Sequence, residues 1–221
     1  MEHKWDILCH EGLKFFGQAT ASISHELKNA LAIVNESAGL LKDFCEMAER
    51  GRPLEGERFK SLAEKITAQI HRADGIVKDL NLLAHSVDEQ VKQVDLGATL
   101  KLMVALSRRS ASMRGIGLEF LPPPRPVVIK TNPFLLKNLV WLCVRFAMDA
   151  AGDGKRIGLT AEETQQGAQL KMSRLQALGE ILSKGFPGKG EKAILTALGA
   201  DLKTDTGAEE LVIIVPKENL P

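Results

Sequence analysis

The sequence carries no excess of either charge: 29 lysines and arginines stand against 28 aspartates and glutamates, a formal net charge of +1. A chain this close to neutral has no whole-molecule field to gather a polyanion, so neither nucleic acid nor a membrane surface is an expected partner. Cysteine is scarce. Cys9, Cys45 and Cys143 are odd in number, far apart and outside any Cys-x-x-Cys or His/Cys ligand spacing, which excludes a disulfide framework and a zinc site and fits free thiols in a reducing compartment. Long apolar runs are missing too. The most apolar segment, 134–151, is interrupted by Lys137, Arg145 and Asp149 and reads as a core helix, not a membrane span. The opening "MEHKWDILCH" has charges where a signal peptide would be apolar. No repeat and no low-complexity tract is present. These absences lead to the expectation of a soluble, cytoplasmic protein with no membrane segment.

Apolar periodicity dominates the first part of the chain. Phe16, Ile23, Leu27, Leu31, Val34, Ala38, Leu41 and Cys45 recur mostly three or four apart, the mark of a long amphipathic helix. The stretch "RGRPLEG" supplies a turn, and Phe59, Leu62, Ile66, Ile70, Ala73, Val77, Leu80 and Leu83 continue as a second helix. Two long helices joined by a short turn make an antiparallel hairpin. A lone hairpin leaves much of its apolar stripes in water, so a homodimer with a four-helix bundle is expected.

Near Val91 the texture changes to short strand-like runs between helices. "IGLEF", "VVIK", "RIGLTA", "AQLKM", "ADLKT" and "ELVIIVP" read as strands. Helices are expected in "LGATLKLMVALSRRSASMRG", from Asn132 as N-cap with Pro133 at the first position, and over 189–198. The chain is therefore read as α+β: a helical hairpin over residues 1–90, then an α/β sandwich over 91–221 in which helices cover one face of one sheet.

The stretch "SISHELKNALAIV" carries the candidate chemistry. His25 is two residues from both Ile23 and Leu27, so it falls off the apolar seam and faces solvent. Glu26 can accept a proton from one imidazole nitrogen, leaving the lone pair of the other as a nucleophile near neutral pH. Lys28 and Asn29 follow by three and four positions on the same face and suit phosphoryl oxygens or an attacking water. Helical geometry alone favours a merely solvated histidine on a polar face. His3, His10, His71 and His85 lack acids at ligand spacing, Ser22 and Ser24 lack an activating base, and "SRRSASMR" reads as a solvated basic helix face.

"SISHELKNALAIVNESAGLL" resembles the phospho-acceptor box of two-component sensor histidine kinases, and the later helix and strand runs resemble that family's ATP-binding domain. The resemblance implies that His25 is the phosphorylated residue, assisted by Glu26, Lys28 and Asn29. It also exposes departures. Aligning Asn132-Pro133 with the family's helix start puts Leu142 and Phe146 where two asparagines are expected, the second of which helps hold Mg²⁺ and phosphate; neither side chain offers the oxygen a hard cation needs. Arg174 stands near the position of the adenine-reading aspartate, the glycine pair after it is missing, and Gly188-Lys189-Gly190 keeps only a trace of the phosphate loop.

The expectation is a histidine phosphotransfer protein that carries phosphoryl groups between the aspartates of response-regulator receiver domains, closest in character to dimeric histidine phosphotransferases. No cofactor of its own is expected: ATP is not bound, and Mg²⁺ belongs to the receiver. Receiver docking is expected around Ile23, Leu27, Ile76 and Leu80. The alternatives are a dimeric scaffold with a vestigial His25, an active kinase with an unusual nucleotide site, or a phosphatase using the same face.

Overall fold

The structure is a computed structural model that describes residues 2–53 and 55–218, with side chains from residue 5 onward. Its contacts divide the chain into two compact units, residues 20–82 and residues 1–19 together with 83–221. The composition change near residue 91 marks the exit from the second helix. The contacts also assign the first nineteen residues to the second unit, because Leu8, Phe15 and Ala19 are buried there.

Residues 20–82 form the helical hairpin. Helix α1 (Glu2–Glu49) enters it and α2 (Gly56–Ala84) returns. The pairs Glu26–Arg72, Glu36–Lys65 and Phe44–Phe59 fix an antiparallel register, since each step up α1 is a step down α2. The α1 side that meets α2 runs through Ile23, Ala30, Ser37 and Phe44, of which the first three are buried. The apolar pattern of the sequence is wider than this strip. Leu31 is 55% exposed, and Ile70, which the register places level with it, is 54% exposed. Val77, one further heptad along α2, is also exposed.

The other unit is built on a five-stranded sheet of order β2-β4-β5-β7-β6: β2 (Gly117–Phe120), β4 (Arg156–Thr164), β5 (Gly167–Ser173), β6 (Asp201–Asp205) and β7 (Glu210–Pro216). Only β2 and β4 are parallel; the other neighbours are antiparallel. Alternate residues Ile157, Leu159 and Ala161, then Ala168, Leu170 and Met172, then Leu211, Ile213 and Val215, are buried on one face. Three helices pack in this unit: α3 (Leu96–Met113), α4 (Pro133–Ala150) and α6 (Lys189–Leu198). A one-turn α5 (Leu178–Leu182), which no sequence pattern suggested, precedes α6. The single-sheet expectation needs one correction: β1 (Lys92–Asp95) and β3 (Val128–Thr131) pair antiparallel as a separate ribbon.

Local chemistry sets the helix starts. The Asp95 carboxylate accepts from the Gly97 and Ala98 amides, and Asn132 Oδ1 accepts from the Leu135 amide with Pro133 following. Within this unit the first third of α1 lies against α4. The Phe15 ring sits 5.6 Å from Phe134 and 5.8 Å from Trp141, and Arg145 donates to Gln18 at 2.5 Å. Phe16, placed on the seam by periodicity, is exposed while Phe15 is buried. Among the described residues no helix is long and apolar enough to cross a membrane.

Candidate phospho-acceptor site

His25 lies on the hairpin stretch of α1 and is exposed, as are Lys28 and Asn29. Ile23 and Ala30 are buried on the opposite side, which is why these three point outward. Glu26 is half-buried and faces α2, where its Oε2 accepts from the Arg72 guanidinium. The structure thus brings His25, Lys28 and Asn29 onto one solvent face and ties the Glu26 carboxylate to the second helix. Arg72 escaped the sequence reading because nothing local singles it out. Folding α1 onto α2 about the "RGRPLEG" turn was the one available clue. Ile23, expected on a docking surface, is only 5% exposed and belongs to the hairpin interior, whereas Ile76 and Leu80 are half-buried.

In the α/β unit, Leu142 is half-buried and Phe146 is buried, its ring stacked on Phe186 at 3.8 Å with planes 15° apart. Beside this stack is a cleft of about 520 Å³ bordered by Asp149, Ile181, Lys184, Gly188 and Glu191. Its polar side chains are engaged. Asp149 accepts from Arg114 at 2.5 Å, Glu191 caps α6 by accepting from the Gly188 amide at 3.0 Å, and Lys184 pairs with Glu180 at 3.6 Å. Gly190 backs onto the Glu11 side chain, so close that a Cβ there would meet it at 2.9 Å. Two carboxylates therefore flank the α6 N-terminus, the end that would otherwise favour a phosphate. Arg174 has a left-handed backbone (φ 67°) and donates to Glu119 at 2.6 Å, and this hydrogen bond holds the Glu119 carboxyl below its ordinary pKa. An arginine spent on a carboxylate does not read adenine as an aspartate would, and an aromatic stack does not ligate Mg²⁺. The residues present do not fit a Mg²⁺-nucleotide.

All three cysteines are free thiols, and burial raises the pKa of Cys143. No group of three or more His, Cys, Asp or Glu side chains able to hold a metal lies among the described residues.

The helical hairpin that exposes His25, followed by an α/β layer, is the arrangement that the comparisons with known proteins bear on. Residues 17–88 match the His Kinase A (phospho-acceptor) domain. Sensor histidine kinase ZraS of Klebsiella oxytoca is 26% identical over 197 residues, covering 89% of this chain and 40% of that protein. The chain thus spans about two-fifths of that relative's length. A solved bacterial phosphotransferase has the same fold, with a TM-score of 0.51 at 13% identity over 91% of this chain and 95% of the other. Histidine kinase ThkA, solved in complex with the response regulator protein TrrA, gives 0.46 at 19% identity over 94% of this chain and 64% of the other. The chain is thus similar to two-component histidine kinases, through a phospho-acceptor domain over residues 17–88 and a 26% identity to ZraS.

Proposed function

We propose that this protein is a histidine phosphotransfer protein that works without ATP. His25 takes a phosphoryl group from the aspartyl phosphate of one response-regulator receiver domain and yields it to the aspartate of another. In the accepting step a lone pair of one imidazole nitrogen forms the N–P bond while the P–O bond to the receiver aspartate breaks, and that carboxylate leaves with the electron pair. The other imidazole nitrogen keeps its proton, with Glu26 as the neighbouring group that sets the tautomer. Lys28 and Asn29 sit beside the transferred group, and Mg²⁺ comes with the receiver's acidic pocket.

One observation supports this reading: His25 stands exposed on a hairpin that matches a phospho-acceptor domain, while Phe146 is stacked on Phe186 and Arg174 is paired with Glu119. The name of the ZraS relative favours a second reading, an ATP-dependent sensor kinase. Leu142, Phe146 and Arg174 weigh against it. A second copy of the chain covers Leu31, Ile70 and Val77 in a four-helix bundle, and the protein works in the cytoplasm.

The test is transfer from a receiver domain carrying radiolabelled phosphate. Wild-type protein becomes labelled with an acid-labile, alkali-stable group, and His25→Ala stays at background. A receiver that binds the protein without transferring label would support a scaffold instead.

A further inference from the structure

The Glu26–Arg72 pair gives the acceptor face a charge arrangement that the sequence of α1 does not contain. On α1, Glu26 follows His25 directly and lies four residues from Ser22 and three from Asn29, so its carboxylate stands on the flank of the imidazole that turns toward α2. A phosphoryl group on His25 is dianionic near neutral pH, and so an unpaired Glu26 carboxylate one residue away would repel it. Arg72 is the residue from α2 that meets this carboxylate, by a charge-assisted hydrogen bond in which one of its five N–H donors is used. Arg72 is 42% exposed and Glu26 22%, so the pair sits at the surface, beside the place where the phosphoryl group arrives.

We propose that Arg72 is a positioning residue of the phosphotransfer site, acting through Glu26. It cancels the carboxylate's charge and holds it on the α2 side, so that Lys28 supplies the uncompensated charge beside His25 and the phosphohistidine is favoured. This rests on the reading of His25 as acceptor and names a residue from outside the phospho-acceptor box as part of the same site. Arg72 does not touch the reacting atoms in this account. Its effect belongs to the equilibrium between receiver phosphate and phosphohistidine, and Glu26→Gln removes the carboxylate charge while keeping an amide oxygen that can still accept from the imidazole N–H.

The experiment is to measure that equilibrium with a labelled receiver and full-length wild-type, Arg72→Ala, Arg72→Lys and Arg72→Ala/Glu26→Gln proteins, at low and high salt. Arg72→Ala should shift label back to the receiver by about fivefold, the size expected for one charge meeting a dianion across solvent within a residue or two. Arg72→Lys should keep most of the wild-type value, Arg72→Ala/Glu26→Gln should recover it, and added salt should shrink the differences. Circular dichroism of each variant checks that the hairpin remains helical. A merely structural ion pair predicts no recovery in the double variant, since the pair is still missing there. An Arg72→Ala equilibrium equal to wild type, or a loss that Glu26→Gln does not repair, overturns the proposal while leaving His25 as acceptor. Wild-type protein that takes no label from the receiver overturns the underlying reading, and the role of Arg72 with it.

Discussion

On the hairpin, His25, Lys28 and Asn29 stand in water with no hydrogen bond or ion pair recorded to other described residues, whereas around the cleft of the α/β unit Asp149, Lys184 and Glu191 each hold an internal partner. Apolar groups follow the same contrast: Leu31 and Ile70 are open on the hairpin, while Phe146 and Phe186 close on each other at the cleft. Groups left open are available to a partner, and groups satisfied internally have to be prised apart before a ligand can use them. The open polar and apolar groups therefore lie on the hairpin, whereas the polar groups around the cleft of the second unit serve its own packing.

Four perturbations test that contrast. The largest effect is expected from Phe15→Ala, which removes a ring 2% exposed and in contact with both Phe134 and Trp141. It should cost about 3–5 kcal/mol of unfolding free energy by denaturant titration. A cost below about 1 kcal/mol would mean that the first third of α1 is not part of this unit's core. Next, Leu31→Glu with Ile70→Glu should leave the helix content unchanged yet shift the protein toward monomer in analytical ultracentrifugation. The expected rise in dimer dissociation constant is at least about tenfold, or ~1.4 kcal/mol. A sedimentation profile identical to wild type would show that this open apolar surface is not the dimer seam.

Thermal unfolding with saturating Mg²⁺-ATP should leave the midpoint where it was. A ligand at a hundred times its dissociation constant would add about 2.7 kcal/mol, so a clear upward shift would reopen the kinase reading. A pH-dependent effect comes from Lys137 on α4, whose pKa burial lowers from 10.5 to about 8, with Lys92 contributing. Because the folded pKa lies below the unfolded one, the unfolded chain binds more protons between about pH 8 and 10.5, and this group's contribution to stability rises with pH through that window. Lys137→Met should raise stability at pH 7 and flatten the rise above pH 8. An unchanged slope would remove Lys137 as its source.

Much of this architecture was legible in the chain itself, because it depends on local pattern. The three-and-four spacing from Ile23 onward gave the hairpin, and Asn132-Pro133 gave the start of α4. What escaped depends on distant partners. The helix already runs from Glu2, but Trp5 and Leu13 are 67% and 76% exposed, so the apolar residues there do not trace one clean stripe. Phe15 and not Phe16 is buried, since the neighbour that decides the matter is α4, more than a hundred residues on. The same holds for the site. His25, Lys28 and Asn29 could be placed on one face by counting along a helix. By contrast, the Arg72–Glu26 pair, the Phe186 stack and the closeness of Glu11 to Gly190 exist only once the chain has folded back on itself.

In the proposed function His25 is loaded by another protein and not by nucleotide. The most direct test presents one preparation, in parallel, with radiolabelled ATP plus Mg²⁺ and with a receiver domain bearing radiolabelled aspartyl phosphate. Label is expected on His25 from the receiver alone, and none in either reaction for His25→Ala. Label acquired from ATP in the absence of any receiver would contradict the proposed function.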